Sequence, residues 1–174
     1  MLRLFVGIEL PPELKLSLSL MASGLPGAKW VDAGNYHLTL RFIGEIDEGQ
    51  AEDVDAALSH IRAPRFDVTL ATVGHFGLRQ LWVGVECNDA LQRLHDKIES
   101  AVSRLGFSPE ERRYTPHVSL ARLKGPSEAR LQEYLSAHAL YRGKPFRADR
   151  FSLIASYLTK SGAIYEDQAD YPLG

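Results

Sequence analysis

The chain carries one local pattern twice. His37-Leu38-Thr39-Leu40 and His117-Val118-Ser119-Leu120 each place a histidine and a hydroxyl residue two positions apart among aliphatics. On a β-strand, residues i and i+2 point to one face. His37 and Thr39 therefore share a face, Leu38, Leu40 and Phe42 take the other, and the second motif repeats the division. The runs upstream repeat as well: Leu4-Phe5-Val6-Gly7-Ile8-Glu9 matches Leu81-Trp82-Val83-Gly84-Val85-Glu86 in its aromatic, its glycine and its glutamate. Gly7 lies 30 residues before His37 and Gly84 lies 33 before His117, and each interval holds a helical pattern. This is an internal duplication of a strand–helix–strand unit at a spacing of about 80 residues. The period is too long and the copies too few for a solenoid. Two lobes related by a pseudo-two-fold axis are the simpler expectation.

Periodicity fills in the rest. Strands are predicted at Leu2–Glu9, Tyr36–Ile43, Phe66–Val73, Leu81–Cys87, Thr115–Leu123 and Phe146–Leu158. After Pro11-Pro12 the leucines at 14, 16, 18 and 20 alternate like a strand, but Leu14, Leu18, Met21 and Leu25 fit a helix. We read a helix, because the second copy has a cleaner one on Leu91, Leu94, Ile98, Val102 and Leu105, closed by Gly106. Asp47 and Gln50 resemble a capping box for a third helix, and Pro126 opens a short fourth. The expected fold is α+β, with residues 1–174 forming one bilobal domain of mainly antiparallel sheet flanked by helices. Each lobe packs its aliphatic face under helices and turns histidine, hydroxyl, aromatic and glycine toward a central cleft.

Composition narrows the function. A net charge of −2 argues against a broad surface for duplex nucleic acid, which needs many phosphate contacts, though not against a small basic site for one terminus. The single cysteine, Cys87, rules out an intramolecular disulfide and a cysteine-based zinc cluster. No apolar run reaches the length of a membrane span, and the chain enters its first strand with no signal-peptide core ahead of it. A monomeric, cytoplasmic protein is expected.

Two imidazoles facing one substrate can serve together as general acid and general base, since histidine titrates near neutrality. Their natural reaction is in-line displacement at phosphorus, with Thr39 and Ser119 donating hydrogen bonds to non-bridging oxygens. A strained cyclic phosphodiester suits this apparatus, and neither metal nor cofactor is required. Arg41, on the face of His37, could add positive charge beside the phosphate. Arg112, Arg113 and Lys124 are either a local basic rim or a solvated face, and His60, His75, His95 and His138 read as surface or structural.

With these motifs the chain resembles the 2H phosphoesterases, and within them the LigT/ThpR branch of RNA 2′,3′-cyclic phosphodiesterases. The resemblance covers the whole length: Arg3-Leu4-Phe5-Val6-Gly7-Ile8, Asn35 to Glu45, Leu81 to Val85, Thr115 to Arg122, and the closing Tyr171-Pro172-Leu173. It implies hydrolysis of terminal 2′,3′-cyclic phosphates on RNA 3′ ends or nucleosides to 2′-phosphates. His37 would be the proton donor to O3′ and His117 the acceptor from water. Thr39 and Ser119 would hold the phosphate, and Phe5 and Arg122 would sandwich the terminal base. Arg122 stands five residues after His117, so a regular strand would turn it away and a bulge is needed. Ser119 replaces the commoner threonine, and Ala155-Ser156 stands where an acidic residue often precedes the serine. Two other readings share the cleft: a non-catalytic binder of RNA ends or nucleotides, and a ligase or phosphodiesterase acting on 2′,5′ linkages.

Overall fold

A computed structural model describes all 174 residues. In chain order the elements are β1 (Leu2–Glu9), α1 (Pro12–Ser19), β2 (Ala28–Trp30), a 3₁₀ turn (Ala33–Asn35), β3 (His37–Ile46), α2 (Glu48–Ser59), β4 (Phe66–Val68), β5 (Leu70–Phe76), β6 (Gln80–Val85), α3 (Asp89–Arg104), β7 (His117–Leu123), α4 (Glu128–Ala137), β8 (Phe146–Ala148), β9 (Arg150–Thr159) and β10 (Gly162–Pro172). An antiparallel sheet runs β10-β9-β1-β3-β7-β6-β5, with β2 paired to β7, and a small second sheet joins β4 to β8. The architecture is α+β in two halves. β3, β1 and β9 succeed one another outward on one side, and β7, β6 and β5 on the other. The halves meet edge to edge at one residue pair, Leu38 with Val118.

The aliphatic faces bury as the parity requires. Leu4, Val6, Ile8, Leu38 and Leu40 from one half and Leu81, Val83, Val118 and Leu120 from the other lie in one continuous core. Helical spacing wins over alternation after Pro11-Pro12: Leu14, Leu18, Met21 and Leu25 are buried and Leu16 and Leu20 are exposed. The helix itself stops at Ser19, so Met21 and Leu25 reach the core from the following loop. Leu91, Leu94, Ile98 and Val102 are buried along α3, whereas Leu105 caps its end and is exposed. Gly106 follows at φ +95°, a left-handed conformation that suits glycine. The capping box at Asp47 and Gln50 is complete in both directions. Two strands expected as single runs are divided: Phe66–Val73 splits into β4 and β5, and the long C-terminal strand is broken at Asp149.

Three bulges alter the parity where it matters most. Gly7 pairs with Thr39 and Val6 with Arg41, which leaves Leu40 as an extra residue in β3. Phe5 pairs with Phe42 and Leu4 with Gly44, which leaves Ile43 extra. In β7, Trp82 pairs with Ser119 and Leu81 with Ala121, so Leu120 is extra. Each extra residue switches the side chains beyond it to the opposite face. Beyond Leu40, Phe42 moves to the cleft face and is 62% exposed, contrary to its expected place among the aliphatics. Beyond Leu120, Arg122 moves to the cleft face in the same way, as its offset from His117 demanded.

Arg41 is corrected by the same bulge. It turns toward the helices, is buried, and donates through Nε to Glu99 of α3 and through its other nitrogens to the carbonyls of Phe42 and Ser108. It is a strut between sheet, helix and the loop after α3, and it does not face the cleft. Removing it takes a buried cation away from Glu99, which is partly buried, and from the Ser108 carbonyl. Arg41→Met is expected to lower unfolding stability by about 2–3 kcal/mol, read by urea titration, while the folded variant keeps its affinity for phosphate anions. Full stability with lost anion affinity would return Arg41 to the cleft.

Candidate active site

The site is built on the Leu38–Val118 pair. Antiparallel register carried one residue either way sets His37 opposite Ser119 and Thr39 opposite His117. Leu38 and Val118 point into the core, so these four side chains share the other face. They form a quartet with the histidines at one diagonal and the hydroxyls at the other. A group centred over the seam meets an imidazole from either side, the disposition that in-line chemistry asks of an acid and a base.

Both imidazoles are oriented the same way. His37 Nδ1–H donates to the carbonyl of Asn35 at 3.2 Å, and His117 Nδ1–H donates to the carbonyl of Thr115 at 2.6 Å. In each case the acceptor is two residues upstream on the same chain, so entry into the strand fixes the tautomer. Nε2 remains as the nitrogen that can take or give a proton. Asn35 is itself anchored, its Nδ2 donating to the Ala163 carbonyl on β10 at 2.7 Å.

Each histidine also has an aromatic wall. The Phe5 ring lies over Gly7, where a Cβ would sit 3.4 Å from Phe5 Cε2, and meets His37 edge-on at 6.1 Å between centroids. The Trp82 ring lies over Gly74, where a Cβ would sit 2.3 Å from Cη2, and meets His117 at 5.7 Å. Gly7 and Gly74, together with Gly84, the counterpart of Gly7, where a Cβ would sit 3.3 Å from Trp82 Cζ3, thus clear the cleft floor for rings that confine the imidazoles. This corrects the expectation for Phe5. It is only 4% exposed, covered by Tyr165 at 5.0 Å and Phe42 at 6.0 Å, and has no free face on which a base could stack.

The hydroxyls are held from behind. Gln80 Nε2 donates to Ser119 Oγ, which leaves the hydroxyl proton free to point into the cleft. Tyr114 Oη donates to the Thr39 carbonyl at 2.9 Å, and its ring stacks flat on His95 of α3 at 3.9 Å. Sequence reasoning missed Gln80, Tyr114 and Tyr165. Trp82 was legible as the counterpart of Phe5, but Gln80 precedes the repeated hexad and Tyr165 lies outside the duplication. Arg122 stands beside Ser119 on the wall of a pocket that also holds Arg79 and Lys124, whereas Arg112 and Arg113 are exposed elsewhere.

The electrostatics differ between the two sides. Burial pushes the His37 pKa below its ordinary value, against the Asn35 hydrogen bond; Lys15 also lowers it, while Glu9 and Asp167 raise it. Burial lowers His117 too, opposed only by the Thr115 carbonyl. A carboxylate field favouring imidazolium therefore acts on His37 alone. No three of His, Cys, Asp and Glu gather as a metal cluster, and no helix is long and apolar enough to cross a membrane.

Paired half-sheets that carry a His-x-Thr/Ser strand on each side of a seam define the two-histidine class of phosphoesterases. The chain belongs to the 2′-5′ RNA ligase superfamily, whose family model matches residues 22–158. It is 35% identical over 158 residues to the RNA 2′,3′-cyclic phosphodiesterase of Aeropyrum pernix, covering 87% of this chain and 89% of the relative. It is 34% identical over 176 residues to the enzyme of that name from Thermotoga maritima, covering 95% and 92%. The fold superimposes on Escherichia coli LigT complexed with 3′-AMP at a TM-score of 0.83 and 27% identity, over 99% of this chain and 98% of that one.

The lowered histidine pKa values set the pH behaviour. If His37 and His117 work as an acid–base pair, the active form would carry one proton between them, and kcat/KM should follow a bell whose limbs belong to the free enzyme and to the pair jointly. Burial disfavours imidazolium at both positions, which moves that bell to the acid side of about 6.5. A bound phosphodiester anion favours imidazolium, so the bell for kcat should lie at higher pH than that for kcat/KM. Superimposable profiles would contradict this account.

Proposed function

We propose that the protein hydrolyses the terminal 2′,3′-cyclic phosphate of RNA 3′ ends, and of nucleosides, to a 2′-phosphate without a metal ion. The observation that carries the reading is the diagonal quartet, with two imidazoles whose Nδ1 is tied to backbone and whose Nε2 is free. His117 Nε2 takes a proton from water as its oxygen attacks phosphorus. The P–O3′ bond breaks, and His37 Nε2 gives its proton to O3′. Thr39 and Ser119 hold the non-bridging oxygens as negative charge builds. Glu9 and Asp167 favour a protonated His37, and the lack of a carboxylate near His117 favours a neutral one; both support this division of roles. The names of the relatives point to the same substrate class.

A 5′-hydroxyl of a second RNA in place of water would attack phosphorus in the same geometry, break the same P–O3′ bond and leave a 2′,5′ phosphodiester, and the superfamily's name covers ligation. Identifying the products from RNA with a cyclic end, alone and beside a second RNA bearing a 5′-hydroxyl, separates hydrolysis from 2′,5′ joining. The quartet comes from one chain, which supports action as a monomer, and RNA ends as substrates support a cytoplasmic setting.

His37→Ala and His117→Ala should each lower kcat by roughly 10²–10⁴-fold and leave the fold intact by circular dichroism. The double variant should be little worse than either single, since groups acting as a unit are not additive. Chelator should leave the wild-type rate unchanged. A single variant keeping more than about a tenth of the rate would refute the acid–base assignment, and wild-type binding without turnover would favour the nucleotide-binder reading.

Arg122 is proposed to lie over the terminal base, where an arginine plane contributes by stacking and cation–π attraction. Arg122→Ala should weaken nucleoside cyclic phosphates and spare a base-free cyclic phosphate. Phe5→Ala, which opens a cavity behind His37, should slow both substrates alike. Equal losses for Arg122→Ala on the two substrates would move that residue to the phosphate.

A further inference from the structure

Beside Ser119 the cleft continues into a pocket of about 360 Å³. Val31, Arg79, Gln80, Ser119, Arg122 and Lys124 line it, with no carboxylate among the lining residues. The chain as a whole carries a net charge of −2, so this concentration of cations is local. Arg79, Arg122 and Lys124 form no ion pair with any acidic side chain; the arginines at 41, 130, 142 and 147 all do.

The backbones that carry the outer two cations are clamped. Leu123 N–H donates to the Arg79 carbonyl at 2.8 Å, and Lys124 N–H donates to the Gly27 carbonyl at 2.8 Å. Gly27 sits at φ +82°, and a Cβ there would come within 2.6 Å of the Lys124 carbonyl oxygen. The close approach that only glycine permits thus brings the end of β7 against the segment leading into β2. The β5–β6 turn delivers Arg79 to the same place. Three elements converge to hold positive charge on the side of Ser119 away from the seam.

We propose that Arg79 and Lys124 form a subsite for the phosphodiester immediately 5′ of the terminal cyclic phosphate. This inference rests on the cyclic-phosphodiesterase reading and deepens it. With the reacting phosphate over the seam and against Ser119, the ribose it belongs to leads the chain toward its upstream linkage. That linkage bears one negative charge, and the adjoining pocket offers cations without a competing carboxylate. A nucleoside 2′,3′-cyclic phosphate ends in a 5′-hydroxyl and has nothing to place there. The pocket therefore selects RNA ends over free cyclic mononucleotides, and it is the reason a chain of net negative charge can hold an RNA terminus.

The test compares kcat/KM on a nucleoside 2′,3′-cyclic phosphate with that on a dinucleotide ending in one. Wild type should favour the dinucleotide by about five- to tenfold, the size of a solvent-exposed charge-assisted contact. Arg79→Ala/Lys124→Ala should lose most of that preference and leave the mononucleotide rate within about twofold. A dinucleotide whose internal linkage is an uncharged methylphosphonate should behave on wild type as the normal one behaves on the variant. Equal losses on both substrates, or no wild-type preference, would overturn the subsite. Binding of a dinucleotide 2′-phosphate against a mononucleotide 2′-phosphate, by calorimetry, decides the subsite independently of turnover. No hydrolysis with the binding difference intact would sink the functional reading alone, and no binding difference would sink the subsite alone.

Discussion

Everything at the candidate site depends on a single ladder pair, Leu38 against Val118. It is the only registered contact between β3 and β7, yet it sets which hydroxyl faces which histidine. Slipping it by one residue would turn one whole motif into the core, because side chains alternate with period two. The slip is opposed by burial. Leu38, Leu40, Val118 and Leu120 are all inaccessible and share a core with α1, α2, α3 and α4. A local pairing of modest strength is thus held in register by a large apolar face, and the quartet inherits its rigidity from the opposite side of the sheet.

The backbone does for these imidazoles what a carboxylate does in many acid–base sites. Carbonyls of Asn35 and Thr115 fix the tautomers without adding formal charge. The rings are hemmed by Phe5 and Tyr165 on one side and by Phe76 and Trp82 on the other. Burial, only partly opposed by those carbonyls, keeps both histidines reluctant to ionise in the free protein. In the proposed reaction the substrate anion would supply the field that stabilises the one imidazolium the chemistry needs.

The main strands, the four helices and the common face of His37 with Thr39 and of His117 with Ser119 were legible because each rests on a strong period: two for the strands and 3.6 for α3. The bulges were harder. Leu38, Leu40 and Phe42 read as one unbroken alternation, which hides the change of face and draws Arg41 toward the phosphate and Phe42 toward the core. A trace was present. Ile43 and Ile46 in β3, and Leu123 in β7, are aliphatics out of phase with the residues before them, and all are core residues. Two parities within one strand mark a bulge between them. Phe5 failed for another reason: parity places a side chain on a face but says nothing of what a distant strand lays over it. Tyr165 comes from β10, far along the chain. Gln80 was invisible for the same kind of reason, since only the register of β6 with β7 brings it to Ser119.

The equivalent bulges at Leu40 and Leu120 leave Phe42 and Arg122 at matching stations, five residues beyond each histidine and both facing the cleft. Rotation about the pseudo-two-fold axis exchanges His37 with His117 and Thr39 with Ser119, so the reacting groups by themselves form a palindrome. A palindrome reads alike from either end and cannot say which side the leaving oxygen should take. Direction comes from what breaks the symmetry: a ring on one flank and a guanidinium on the other, carboxylates near one imidazole and none near its twin. On the proposed mechanism, the parts of this chain that match across the seam would supply the apparatus, and the parts that differ would give it a forward sense.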